Sequence, residues 1–198
     1  MADDERLARQ IEFALEIDKL KRVVRQTWHL DRSRKENDAE HSWHLAVMAV
    51  LLAEYAAEPG LDLARVVKMV LVHDLVEIDA GDTFVYDKVA LRDKPEREEA
   101  AAKRLFGMLP EDQAAEFRGL WEEYEARQTP EARYAAGLDR LQPLLHNYHT
   151  GGRTWLEHGV RSADVLARNR HMADGAPRLW QFAEELIRDA VRKGYLAQ

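Results

Sequence analysis

The 198-residue sequence predicts an all-α domain with a long loop after its third helix. Three observations carry that prediction: apolar residues recur at helical spacing over most of the chain, strand-like alternation is nearly absent, and capping or breaking residues cut the pattern into helix-sized pieces. The length suits one domain over 1–198, with a core over about 10–170, and no repeat, linker or low-complexity tract divides it. Hydrophobic residues at 46% and charged residues at 33% give a globular balance.

The first helix is expected over about 4–26, with Leu7, Ile11, Leu15 and Leu20 on one side. The polar stretch RSRKEND (32–38) reads as a loop whose last residue, Asp38, can cap the second helix. That helix runs through AEHSWHLAVMAVLLAEYAA to the Pro59-Gly60 stop. Asp62 caps a third helix, which carries MVLVHDLVEIDAGDT (69–83). Residues 79–94 read as irregular. Helices follow at about 95–108, 111–127, 131–149, 155–170 and 178–193; Thr129-Pro130 marks a start and Gly151-Gly152 a break.

Several function classes are poorly served. Without Cys there is no disulfide, thiolate metal site or Cys nucleophile. The three serines lie outside any G-x-S-x-G elbow, and neither a P-loop nor a G-x-G-x-x-G turn is present. A net charge of −7 argues against nucleic-acid and anionic-membrane partners. No apolar run approaches the roughly 20 residues of a membrane span, and the charged start MADDERLARQ lacks a signal-peptide core, so a cytoplasmic protein is expected.

Histidine and carboxylate remain. On a helix His73 and Glu77 share a face with Val66 and Val70, and Asp74 lies about 100° round. His41 shares a side with Leu45, Met48, Leu52 and Tyr55, and Asp139 is an acid among apolar residues with Ala135 and Gln142 on its face. His41, His73, Asp74 and Asp139 could therefore converge from three helices as an N₂O₂ set for a divalent ion, with positions left open for water and substrate. Blander readings stand beside this one: a hydrogen-bonded core pair for His73-Asp74, a helix-start residue for His41, a salt-bridge partner for Asp139, and a structural role for His44.

The ordered pattern His41, His73-Asp74, Asp139 resembles the HD-domain metal-dependent phosphohydrolases. The segments ENDAEHSWH (36–44), HDLVEIDAGD (73–82) and LDRLQP (138–143) are similar to the bacterial 5′-deoxynucleotidase group. The resemblance implies a helical HD bundle, with His41, His73, Asp74 and Asp139 as ligands of one divalent ion (Mn, Co, Fe, Zn, Mg or Ni). It further implies catalytic roles for Glu77 and Asp82. The stretch LKRVVRQTW makes Arg22, Arg25 and Trp28 candidate contacts for the phosphate and nucleoside of a small substrate. The expected reaction is release of phosphate from (deoxy)nucleoside 5′-monophosphates. The competing readings are a di-iron oxygenase recruiting His44, His146 and His149, and a non-catalytic protein stabilised by metal. A charged loop at 79–94 that acts as a lid, and a homodimer formed through apolar helical surfaces, complete the expectations.

Overall fold

The computed structural model describes residues 2–198, with side-chain surroundings given from residue 4 onward. Helix α1 (Ala2–Glu16) runs into a 3₁₀ turn at Ile17–Arg22, after which the chain extends as β1 (Val24–Trp28) and pairs antiparallel with β2 (Lys35–Asn37). Helices α2 (Asp38–Leu51) and α3 (Leu63–Val72) follow, then a 3₁₀ turn at His73–Val76 and the short α4 (Glu77–Ala80). After the loop come α5 (Lys94–Phe106), α6 (Glu111–Ala126), α7 (Pro130–His149), α8 (Arg153–Glu157), α9 (Ser162–Asn169), α10 (Met172–Gly175) and α11 (Pro177–Arg192). The all-α expectation holds, with a small hairpin added. No helix among the described residues is long and apolar enough to cross a membrane.

Helix α7 is the axis of the bundle. Thr129 caps it by accepting from the Ala132 N–H, as expected, and Pro130 opens it. It packs against α2, α3, α6, α10 and α11, which buries Tyr134, Ala135, Leu138 and Leu141. Leu45 on α2 and Val66, Met69 and Val70 on α3 are fully buried and join the same core.

The structure corrects several expected boundaries. The first helix stops ten residues short of 26, because Val23, Val24, Thr27 and Trp28 are β-branched or aromatic and find a partner strand in what was read as loop. Its stripe of Leu7, Ile11 and Leu15 is exposed, whereas Phe13 and Leu20 are buried. Helix α1 docks through Phe13, which meets Phe117 edge-on at 5.5 Å between ring centroids, and through polar groups, with Arg9 donating to the carbonyls of Gly107 and Met108 and Gln10 to Gln113. The second helix ends at Leu51 rather than near Pro59. The 155–170 helix is two helices separated by a turn at Gly159.

Two corrections matter for function. Asn37, not Asp38, caps α2: its side chain accepts from the Glu40 N–H while Glu40 accepts from the Asn37 N–H, a reciprocal capping box. Asp38 is thereby released to the interior, where it is fully buried. The α3 helix also tightens to 3₁₀ at His73, and in that geometry residues three apart eclipse. Asp74 and Glu77 therefore face one another's side, in place of the expected His73–Glu77 face.

Candidate metal centre

Three chain segments deliver the four expected ligands to one place. The Nε2 of His41, from the first turn of α2, lies 2.9 Å from Asp139 Oδ1 on α7 and 4.0 Å from Asp74 Oδ2. The Nε2 of His73 lies 3.1 Å from Asp74 Oδ1 and 3.9 Å from Asp139 Oδ1. Ligands about 2.0–2.2 Å from one ion stand roughly 3–4 Å from each other, which is the range observed.

The outer contacts fix which atoms face inward. His73 Nδ1 is 2.9 Å from the Val70 carbonyl, so it carries the proton and leaves Nε2 as the lone pair; that Nε2 is buried without a hydrogen-bond partner. His41 Nδ1 faces the Gln142 Oε1 at 3.2 Å. Asp139 is held on its other oxygen by the Tyr124 hydroxyl (3.0 Å) and by Arg140. An orphaned imidazole nitrogen beside two buried carboxylates is the donor chemistry of a divalent cation, so these residues fit the ion.

Carboxylates crowd the neighbourhood. Asp38, Asp74 and Glu77 form a second buried acidic group beside the first. Arg25, reaching in from β1, donates from Nη1 to Asp38 and Asp74 at 3.0 Å each and lies 3.9–4.0 Å from Glu36 and Asp139. Burial opposes ionisation of Asp74 and Asp139, yet Asp74 stays below the usual range through His73, Arg25 and His41. Asp139 is held well below it through Arg140 and the two imidazoles. Asp38 is pushed up to about 7, first by burial and then by the Asp74 charge. Burial, then Asp74 and Asp38, push Glu77 well above its ordinary value. Asp82 is raised by burial, against the pull of Arg25. Gly81, at φ +75°, makes the sharp exit from α4 that places Asp82 there.

These groups line a cavity of about 170 Å³ that includes Arg25, His73, Asp74, Glu77, Asp82 and Asp139. His41 lies behind it, fully buried. The expected substrate contacts are divided. Arg25 lines the cavity, Arg22 is exposed on the 3₁₀ turn, and neither Arg22 nor Trp28 is on the cavity wall. The Trp28 ring is stacked under the Arg153 guanidinium at 3.3 Å and donates from Nε1 to Glu157. The 79–94 loop does cover the cavity through Thr83, Phe84 and Tyr86, and Arg97 ties it down by donating to the carbonyls of Ala80 and Ala90.

Sequence reasoning missed Asp38, Glu36, Tyr124, Arg140, Gln142 and Lys94. Lys94 lines the cavity, 2.7 Å from Glu98. His44 and His146 form a separate group with Glu36, but the Gln142 amide sits among them, donating to Glu36 Oε1 at 2.7 Å and to His146 Nε2 at 3.1 Å. The ENDAEH and LDRLQ segments held Glu36, Asp38, Arg140 and Gln142 in plain view; what hid their roles was the unseen pairing of β1 with β2.

Comparison with known proteins now has a geometry to rest on. The HD-domain family profile matches residues 17–180, and the chain belongs to the HD-domain family. It is 35% identical over 136 residues to a human 5′-deoxynucleotidase, HDDC2, a match covering 68% of this chain and 65% of that protein, and 30% identical to a relative of the same description from Dictyostelium discoideum. The match thus spans a little under two thirds of the human relative's length. A crystal structure of a protein from Magnetospirillum magnetotacticum, described as a "predicted metal-dependent phosphohydrolase", superposes with a TM-score of 0.95 at 57% identity, covering 99% of this chain and 98% of the other. PH0347 from Pyrococcus horikoshii, at 24% identity and a TM-score of 0.59, shares the fold.

Metal should therefore stabilise the folded chain. With free Mn²⁺ at a hundred times its dissociation constant, mass action adds about 2.7 kcal/mol. For a domain of this size that raises Tm by roughly 5–10 °C. Scanning calorimetry of chelator-stripped protein before and after Mn²⁺ addition checks it; an unmoved Tm counts against a metal centre.

A second expectation concerns acid. His171, on the cavity wall, is held down at about 4 by burial and then by Arg127 and Arg140. A depressed histidine stays neutral in the fold but charges on unfolding, so its contribution is whole above 6.5 and is lost as pH falls toward 4. Thermal melts across that window should show a shallower decline for His171→Asn than for the parent chain.

Proposed function

We propose that this chain is a metal-dependent phosphohydrolase that releases phosphate from (deoxy)nucleoside 5′-monophosphates. The observation that carries the reading is the convergence of His41, His73, Asp74 and Asp139 beside a cavity that also holds a guanidinium and two acids whose ionisation burial opposes. A divalent ion in this set supplies Lewis acidity toward a phosphoryl oxygen and toward water. Arg25 offers its charge to the phosphate side of the cavity, and its fork suits a phosphate better than a lysine would. Asp82, on the cavity wall, is assigned to orient the attacking water. Glu77, whose ionisation burial opposes, is assigned to supply a proton to the departing oxygen. Lys94 adds a further positive charge on the same wall. The 5′-deoxynucleotidase relatives support the substrate class.

The test is phosphate release from a panel of deoxy- and ribonucleoside 5′-monophosphates by Mn²⁺-loaded protein, beside Asp82→Ala. Turnover of the panel that falls at least about a hundredfold in the variant supports the reading. A loaded, folded protein that releases phosphate from none of the panel removes it.

We also infer a homodimer. Trp43, Val47, Val50 and Leu51 on α2 are 65, 47, 61 and 70% exposed and line one apolar groove with Val67 of α3. An apolar strip of this kind on a soluble chain marks an association surface. Sedimentation should give twice the chain mass, and Trp43→Glu with Val50→Glu should give the single mass. A wild type that sediments as one chain contradicts the inference.

A further inference from the structure

The cavity does not end at the metal ligands. Its wall also carries Tyr124 and Arg140, together with Arg127, Arg168 and His171. Arg140 has its counter-charge, since its guanidinium is fixed on Asp139. Arg127, at the C-terminus of α6, and Arg168, on α9, have side chains with no hydrogen bond or ion pair among the described residues. His171 adds a buried Nε2 that also lacks a partner.

These groups repel one another. Arg168 is drawn below its ordinary range by burial and then by Arg140 and Arg127. The acids that reach these groups are few. Asp139 is already committed to His41, Tyr124 and Arg140, Asp164 is felt by Tyr86, and Glu125 is felt beside Arg127 and Lys94. A chain with a net charge of −7 has acids to spare, yet it leaves two arginines and a buried imidazole nitrogen unmatched on one cavity wall.

Arginine forks pair with phosphate oxygens through two parallel N–H donors, and the unpartnered Nε2 of His171, whose ring already bonds the Arg168 backbone, becomes a further donor when it takes up a proton with the anion. We propose that Arg127, Arg168 and His171, on the wall of the same cavity, form a second anion subsite that takes a phosphate-class dianion. Its occupant is either a second phosphate carried by the substrate or a free inorganic anion. The subsite stands whether or not the metal centre hydrolyses nucleotides, because it is read by binding.

The experiment is calorimetric titration of inorganic phosphate into Mn²⁺-loaded protein at low ionic strength, where such contacts are least screened. The parent chain should bind two phosphates. The double variant Arg127→Ala, Arg168→Ala should bind one, with the second class weakened at least tenfold, and Arg127→Lys, Arg168→Lys should recover part of it. A parent that binds a single phosphate, or an alanine variant with unchanged stoichiometry and affinity, overturns the subsite. Hydrolysis-resistant nucleoside 5′-phosphonates with and without a 3′-phosphate then separate the two sources. A tenfold preference for the 3′-phosphorylated form that vanishes in the alanine variant assigns the subsite to substrate. Equal affinity, with the second inorganic phosphate still bound by the parent chain, assigns it to a free anion.

Discussion

Replacing Arg25 by methionine should destabilise the metal-free protein by about 3–5 kcal/mol, the cost of removing one partner from a buried charge network. Arg25 is only 9% exposed and donates to both Asp38 and Asp74, with Glu36 and Asp139 within 4.0 Å. Without it, burial and mutual repulsion among these acids go unanswered. Bound metal answers part of the same charge. The deficit should therefore shrink when Mn²⁺ is added, and the variant should gain more stability from metal than the parent chain does. Urea unfolding of both proteins, stripped and loaded, measures this. Equal metal stabilisation in the two would show that Arg25 and the ion do not share a charge field.

The second large effect is expected at Asp139. Asp139→Asn keeps the shape and the Tyr124 contact but removes the charge shared by His41, Arg140 and the proposed ion. Outer partners of a metal ligand already cost about 10–100-fold in affinity or activity when removed. Losing the ligand charge itself should exceed a hundredfold in both. Tyr124→Phe is the graded comparison: it deletes one hydrogen bond to Asp139 and leaves Arg140 in place, so its effect should fall within the range of about 10–100-fold. If the Asp139→Asn variant binds metal as tightly as the parent, Asp139 is a structural acid and the ligand set is wrong.

The helical core was legible in the sequence because its signals are local. Thr129-Pro130 and Asp62 act as the caps their chemistry suggests. His41, His73, Asp74 and Asp139 also come together, because each rides on a segment that the apolar pattern already places in the core. What was not legible depends on tertiary pairing. Nothing in VRQTW announces that it will meet KEN across a turn, and without that pairing Arg25 reads as one face of a helix rather than as a cation aimed among carboxylates. The choice between Asn37 and Asp38 as cap is a one-residue decision between chemically similar side chains, and it determines whether Asp38 faces solvent or the site. Trp28 shows the same dependence: an aromatic three residues from a candidate phosphate arginine suggests base stacking, and in the fold its ring stacks with Arg153. The tightening to 3₁₀ at His73, which moves Glu77 to the side of Asp74, has no periodic signal at all.

The most direct test of the central claim is a stoichiometric titration. Chelator-stripped protein is mixed with increasing Mn²⁺ at concentrations far above the dissociation constant, and phosphate release from a deoxynucleoside 5′-monophosphate is followed at each step. The account predicts no release without metal, a linear rise, and a break at one ion per chain, with Asp139→Asn flat throughout. Release that is independent of metal, or that survives in the variant, would contradict it.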